Sequence, residues 1–239
     1  MKKKLLDIVL PVMNESGYLA ENVSKLLAFL KNFPYDYKII IVESNSRDDT
    51  FKVAQRLAKL NKRIKAIHLD IPGRDFALKY AWEKSNAEIL SYMDADLSSD
   101  LRSFPELVAS IDEGYDIAVG SRLKSGAKSE RSAIRTFLSN FYNKIIIPLA
   151  LPTGVEDSQC GFKAISRNVS KNIIPKLGNN NGFLDSEMLA VAYSKGYKIK
   201  EIPVAWKETR DSNMSVWKNI PNFIKNITKT RTKILLGRY

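Results

Sequence analysis

Sulfur and imidazole are nearly missing from this chain, which has one cysteine, Cys160, and one histidine, His68, in 239 residues. A disulfide framework needs paired cysteines and a zinc site needs several Cys and His ligands. Both are excluded, as is any catalytic scheme that uses two histidines. Cys160 is expected to be a small buried packing residue, and His68, inside an apolar run, a satisfied structural one. Long hydrophobic runs are also lacking. The stretch Ile145-Ile146-Ile147-Pro148-Leu149-Ala150-Leu151 is among the longest, far short of the roughly 20 residues a membrane-spanning helix requires. Lys2-Lys3-Lys4 precedes only a short apolar run, which does not read as a secretory signal, so a cytoplasmic location is expected.

Acidic residues are the scarcer charge, 26 against 38 basic ones, leaving a net charge of +12. Such an excess suits nucleic acid, acidic lipid or a phosphorylated substrate. A nucleic-acid reader joins its basic stripe to exposed aromatics or a recognisable module. Here the cations crowd segments 122–144 and 207–238, which favours lipid or phosphate, and no nucleic-acid partner is expected.

With 44% hydrophobic residues the chain can bury one substantial core, and residues 1–239 are expected to form a single unit. Leu6–Val12 reads as a strand, followed by Asn14-Glu15-Ser16 and an amphipathic segment from Tyr18 to Leu30. Lys38–Val42 reads as a buried strand, Phe51–Leu60 as a helix, and Ile64–Leu69 and Glu88–Tyr92 as further strands. Strands alternating with helices predict an α/β fold with a mostly parallel sheet, whose polar loops gather on one edge. At that edge stand Asp94 and Asp96. In an extended segment residues i and i+2 share a face, so the two carboxylates are expected to clamp a hard cation such as Mg²⁺ or Mn²⁺. A pair of this kind taken alone is more often a solvated loop.

Further motifs occur in order: Pro11-Val12-Met13-Asn14-Glu15, Val42–Thr50, Asp94-Ala95-Asp96, Gly120-Ser121-Arg122, Asp157–Lys163, Phe183–Leu189 and Glu201–Trp206. Together, over about residues 6–216, they resemble family 2 glycosyltransferases and, within them, the dolichyl-phosphate glucose and mannose synthase branch. The resemblance implies a GT-A type Rossmann-like sheet, with a nucleotide-sugar half over about 1–125 and an acceptor and membrane-surface half over about 126–239. It implies inverting transfer of a hexose from a nucleoside diphosphate to polyprenyl or dolichyl phosphate. UDP-glucose is the first expected donor, because Asp157–Lys163 looks closer to the glucose synthases, and GDP-mannose the second. Two other readings stay open: a hexosyltransferase acting on a sugar hydroxyl, and a basic module that binds nucleic acid or membrane without catalysis.

By the same resemblance, Pro11, Asn14, Glu15, Glu43, Ser44, Arg74 and Asp94 contact the donor. Glu43 and Ser44 stand where the family commonly has two aspartates, and Asp75 replaces the second glycine of a Gly-Lys/Arg-Gly element. Asn14 and Ser46 are alternatively helix caps. Asp94 and Asp96 anchor the metal, with Ser98 or water supplying a third oxygen where mannose synthases often carry Gln. A sugar-hydroxyl acceptor would need a general base, with Asp185 or Glu187 as the candidate. A phosphate acceptor is already largely anionic at neutral pH and needs only cations to align it. Arg122, Arg131 and Arg210 suit that catalytic role, with Arg135, Gln159, Asp185, Glu187 and Ser215 as further acceptor contacts.

Ile134, Phe137, Leu138, Phe141, Tyr142 and Ile145 recur at helical spacing among basic residues, as do Trp217, Ile220, Phe223, Ile224, Ile227, Ile234 and Leu235. Such helices can lie on an anionic membrane, here the inner face of the cell membrane, with the apolar stripe down. Alternatively, each stripe packs on the protein's own core. Relatives in this branch often carry membrane helices, and an integral-membrane partner would supply what no run in this chain is long enough to provide.

Overall fold

The computed structural model describes residues 3–130, 141–179, 182–207 and 216–239. Among them, seven strands form one sheet in the order β3-β2-β1-β4-β7-β5-β8. β1 (Leu5–Val12), β2 (Asp36–Ser44), β3 (Ile64–Leu69) and β4 (Ile89–Met93) are mutually parallel, and β5 (Ile117–Ser121) is parallel to β8 (Ile199–Pro203). β7 (Phe162–Ser166) runs antiparallel between β4 and β5. A short parallel pair, β6 (Lys128–Glu130) with β9 (Ala205–Lys207), forms a second sheet.

Side-chain alternation along the strands builds two cores, one on each face of the large sheet. Leu6, Ile8, Leu10 and Val12 of β1, Ile39 and Ile41 of β2, and Ile89 and Met93 of β4 point to one face. There they meet Leu19, Val23 and Leu26 of α1 (Leu19–Phe29), Ala54 of α2 (Thr50–Leu60), and Phe104, Leu107 and Val108 of α4 (Phe104–Asp112). Val9, Ile40, Val42, Leu90 and Tyr92 point to the other face. They pack against Ala77, Leu78, Ala81 and Trp82 of α3 (Arg74–Lys84) and against residues of the helix Leu184–Ser194. The intervening short helices are α5 (Ile147–Ala150) and α6 (Arg167–Asn172), so Leu184–Ser194 is α7 and Val216–Leu235 is α8. Because every parallel strand ends on the same edge, the loops after β1, β2, β4 and β5 converge there. β7 starts there.

Both amphipathic stripes were open to two readings, and for α8 the packed one applies to its inner side. Phe223, Ile227 and Ile234 join Ile147, Leu151, Phe183 and Ala190 in a third apolar cluster. Phe223 also meets the rings of Tyr142 at 5.6 Å and Phe183 at 6.4 Å. These side chains are therefore not a membrane-facing stripe. Replacing Phe223 and Ile227 with Ser should lower the melting temperature sharply, since truncating a buried large apolar residue costs about 2–5 kcal/mol. A double variant that melts with the wild type would contradict this packing. Ile134, Phe137 and Leu138 lie outside the described residues, and no helix among the described ones is long and apolar enough to cross a membrane.

Candidate active site

Asp94 follows directly on β4, and the chain turns at once: the Leu97 N–H donates to the Asp94 carbonyl at 3.0 Å, and Leu97 has φ 52. A left-handed Leu is a costly conformation, of the kind found where a site dictates the backbone. The expectation of an extended Asp-x-Asp pair is therefore corrected. The two carboxylates are brought together by a turn beyond the strand, where the Asp96 Oδ1 accepts the Ser98 N–H at 3.0 Å. Ser98 is buried, and its carbonyl accepts the Lys207 N–H at 2.9 Å. That backbone bond ties the turn to β9.

Asp94 is half-buried and sits amid charge. Its carboxyl is pushed up to about 6, first by burial and also by Asp96 and Asp185, with Arg74 and Arg122 opposing. Gly161 lies against it. The Asp94 N–H donates to the Gly161 carbonyl at 3.2 Å, and a Cβ at Gly161 would fall 2.1 Å from Asp94 Oδ2. Only glycine fits that approach. The juxtaposition follows from β7 running antiparallel to β4, with Met93 opposite Phe162 and hence Gly161 beside Asp94.

Two arginines flank this carboxylate. Arg74, at the start of α3, sends Nη2 to Asp185 Oδ2 at 2.6 Å and Nε to Asp75 at 3.3 Å, while keeping about a third of its side chain exposed. Arg122, just past β5, grips the wholly buried Asp157 through Nε at 2.7 Å and Nη2 at 2.8 Å, and its backbone N–H adds a third bond at 3.0 Å. Its guanidinium lies 5.8 Å from the centre of the Trp206 ring. The two-point grip expected for an incoming phosphate is thus already spent on Asp157, and Arg122 is a fixed wall of charge beside Asp94.

Neither acid of the Leu184-Asp185-Ser186-Glu187 motif is placed as a general base. Asp185 accepts the Tyr92 hydroxyl at 2.7 Å and pairs with Lys163 at 2.8 Å in addition to Arg74. Although burial pushes its carboxyl up, Lys163 and Arg74 hold it below the usual range. Glu187 is also buried, and it accepts the Gly178 N–H and the Tyr239 hydroxyl, the latter at 2.6 Å. The reading of Glu187 as an acceptor contact is corrected on that ground. Gln159 is half-buried in the loop before Gly161, its N–H donating to Asp157 Oδ1 at 3.3 Å. Arg131, Arg135, Arg210 and Ser215 lie outside the described residues.

On the donor side, Asn14 cross-links two loops rather than capping a helix. Its N–H donates to Ser46 Oγ at 3.0 Å and its Oδ1 accepts the Arg47 N–H at 2.8 Å, from a backbone at φ 58. The Glu15 N–H donates to Thr50 Oγ1 at 2.7 Å. Pro11 and Glu15 stay half-buried and Asn14 exposed, open toward the edge. Glu43 and Ser44, expected among the donor contacts, are instead buried within the scaffold. Glu43 accepts the Ser46 N–H and meets His68 Nδ1 at 2.5 Å, while the Ser44 hydroxyl donates to the Val12 carbonyl at 3.4 Å. His68 is the satisfied structural residue expected, and Cys160 is buried, its thiol pushed up to about 12 by burial.

The sequence profile described as "Glycosyl transferase family 2" matches residues 7–174. This chain belongs to glycosyltransferase family 2. It is similar to glycosyltransferase AglD of Haloferax volcanii, 34% identical over 94% of this chain and 36% of that protein. It is also similar to dolichyl-phosphate β-glucosyltransferase ALG5C of Trichomonas vaginalis (28%, 87% of this chain, 65% of that one) and to dolichyl-phosphate β-glucosyltransferase of Saccharomyces cerevisiae (27%, 98% and 76%). The chain thus spans only about a third of the archaeal relative and about two thirds of the protist one. In three dimensions it superposes on glucosyl-3-phosphoglycerate synthase of Mycobacterium tuberculosis, solved with Mn²⁺ and UDP. The TM-score is 0.64 at 17% identity, over 98% of this chain and 80% of that one. The fold is GT-A.

Sequence reasoning quoted Gly161 and Lys163 within a motif but assigned them no role, and it read Asp75 only as a departure from the family pattern. In the fold Asp75 Oδ2 accepts the N–H groups of Phe183 at 2.9 Å and Leu184 at 2.8 Å, capping α7 from a neighbouring helix. No local signal marked it, because this helix carries Arg74, Lys79, Glu83 and Lys84 as well.

Proposed function

We propose that this chain transfers a hexose from a nucleoside diphosphate, with UDP-glucose the first candidate and GDP-mannose the second, to a polyprenyl or dolichyl phosphate. The observation that carries the acceptor class is the commitment of both motif carboxylates: Asp185 and Glu187 are each spent on buried partners, so among the described residues this motif presents no placed base. An acceptor that arrives as an anion fits such a site, since a phosphate monoester needs alignment rather than deprotonation. The relatives' names support both the lipid phosphate and a β-linked product, which from an α-linked nucleotide sugar means inversion.

Asp94 and Asp96 fit a Mg²⁺ or Mn²⁺ ion. No three His, Cys, Asp or Glu residues converge among the described residues, but these hard cations characteristically use one or two carboxylates together with substrate phosphates and water. Such an ion would neutralise charge developing on the leaving diphosphate. Arg74 stabilises the diphosphate from the donor side, and Pro11, Asn14 and Glu15 border the nucleoside. Arg122 sets the positive potential on the opposite side. β6 and β9, paired at Glu130 and Lys207, lead the chain into the segments with Arg131, Arg135, Arg210 and Ser215, which align the acceptor phosphate. Exposed Ile145, Leu149 and Ile224, with Lys225 and Lys229 nearby, rest on an anionic membrane surface at the cytoplasmic face.

Incubation with labelled nucleotide sugars and polyprenyl phosphate should yield an acid-labile, anomerically inverted sugar phosphate. Arg131→Ala should raise the KM for the lipid at least tenfold and leave donor binding unchanged. A hexose joined efficiently to a sugar hydroxyl with no lipid phosphate present would overturn this reading.

A further inference from the structure

Lys163 is a charged residue with no exposed surface, a placement that costs heavily unless every proton finds a partner. Its Nζ pairs with Asp185 Oδ1 at 2.8 Å and donates to the carbonyl oxygens of Cys160 at 2.9 Å and Ser158 at 3.1 Å. The hydroxyl of Tyr92 lies 3.5 Å away. These partners come from three parts of the site. Tyr92 precedes the Asp94 turn by two residues, Asp185 orients Arg74, and the two carbonyls belong to the loop that ends in Gly161. That loop touches Asp94 through both backbone and carboxylate.

We infer that Lys163 is a positioning residue for the metal-anchoring carboxylate: its buried ammonium bolts the Ser158–Gly161 loop against Asp94 and, through Asp185, holds Arg74 on the other side. The inference rests on reading Asp94 and Asp96 as the metal site. The ammonium touches neither the donor pocket nor the metal turn. Its influence passes through backbone carbonyls, which an apolar side chain of similar length cannot hold. Gly161 transmits it, because any shift of the loop toward Asp94 meets the carboxylate and any shift away releases the Asp94 N–H.

The test measures Mn²⁺ binding by loss of the free-ion paramagnetic resonance signal in the presence of UDP, alongside UDP binding without metal and thermal melting. Three variants are compared with wild type. Lys163→Met/Asp185→Asn removes both buried charges together, Lys163→Gln keeps an uncharged NH₂ donor group, and Gly161→Ala disturbs the same contact from its far end. Wild type should bind Mn²⁺. The double variant and Gly161→Ala should each weaken it at least tenfold, Gly161→Ala with metal-free UDP binding unchanged, and Lys163→Gln should fall between. A folded double variant with wild-type Mn²⁺ affinity would refute the role of Lys163. Failure of both Lys163 variants to fold would mark it as structural only and also overturn the inference. If wild type itself takes up no Mn²⁺, the metal reading fails first and the inference with it.

Discussion

Asp96→Asn should lower turnover at least about 10²-fold, equivalent to roughly 2.7 kcal/mol of transition-state stabilisation, while the fold persists. Asparagine keeps an oxygen for the Ser98 N–H that Asp96 accepts at 3.0 Å, so the turn survives. On the proposed reading, what is lost is one of two anionic oxygen ligands for a divalent ion beside a diphosphate, where electrostatic stabilisation dominates. A magnesium titration separates loss of affinity from loss of rate. Equal activity of variant and wild type across that titration would remove Asp96 from the metal site. Asp94→Asn should be impaired too, with an added packing effect from its contact with Gly161.

The largest stability effect is expected at the ion pair behind the site. Arg122→Ala leaves Asp157 wholly buried with only backbone donors, from Arg122 at 3.0 Å and Gln159 at 3.3 Å. Stranding a buried charge in this way costs about 3–5 kcal/mol, which denaturant unfolding near neutral pH should report. The pH dependence follows from the sign of the shift. In the wild type, burial pushes the Asp157 carboxyl up but Arg122 more than offsets it, so the group titrates below the ordinary carboxylate range. Its contribution is therefore present above that range and fades as pH falls through the depressed value. Without the Arg122 side chain burial is opposed only by backbone N–H groups and the Lys163 charge, and protonation in acid relieves the variant. The gap between the two proteins should narrow as pH falls through the carboxylate range. An unchanged unfolding midpoint at neutral pH would show that Asp157 finds other partners.

Much of the architecture was legible because the β-α alternation is strongly periodic. The third strand, Ile64–Leu69, matches its expected bounds, and the second extends two residues beyond Lys38–Val42 at each end. Pattern alone misjudged the Asp94–Asp96 pair, since extended spacing puts i and i+2 on one face but gives no warning of a left-handed Leu97. Periodicity likewise showed that Phe223 and Ile227 share a helix face without showing what that face meets. A core and a bilayer demand the same stripe.

The order of motifs, the scarcity of cysteine and histidine, and the excess of basic residues were set by the sequence itself. They are enough to indicate an α/β sheet with an acidic pair at its edge, because local patterning and composition act over a few residues. Which charges neutralise which was decided only by the tertiary structure. Asp185 and Glu187 are two residues apart, yet one meets Lys163, Arg74 and Tyr92 and the other Gly178 and Tyr239. Gly161 reaches Asp94 only because β7 enters antiparallel beside β4, a pairing of strands some 70 residues apart that no local rule specifies.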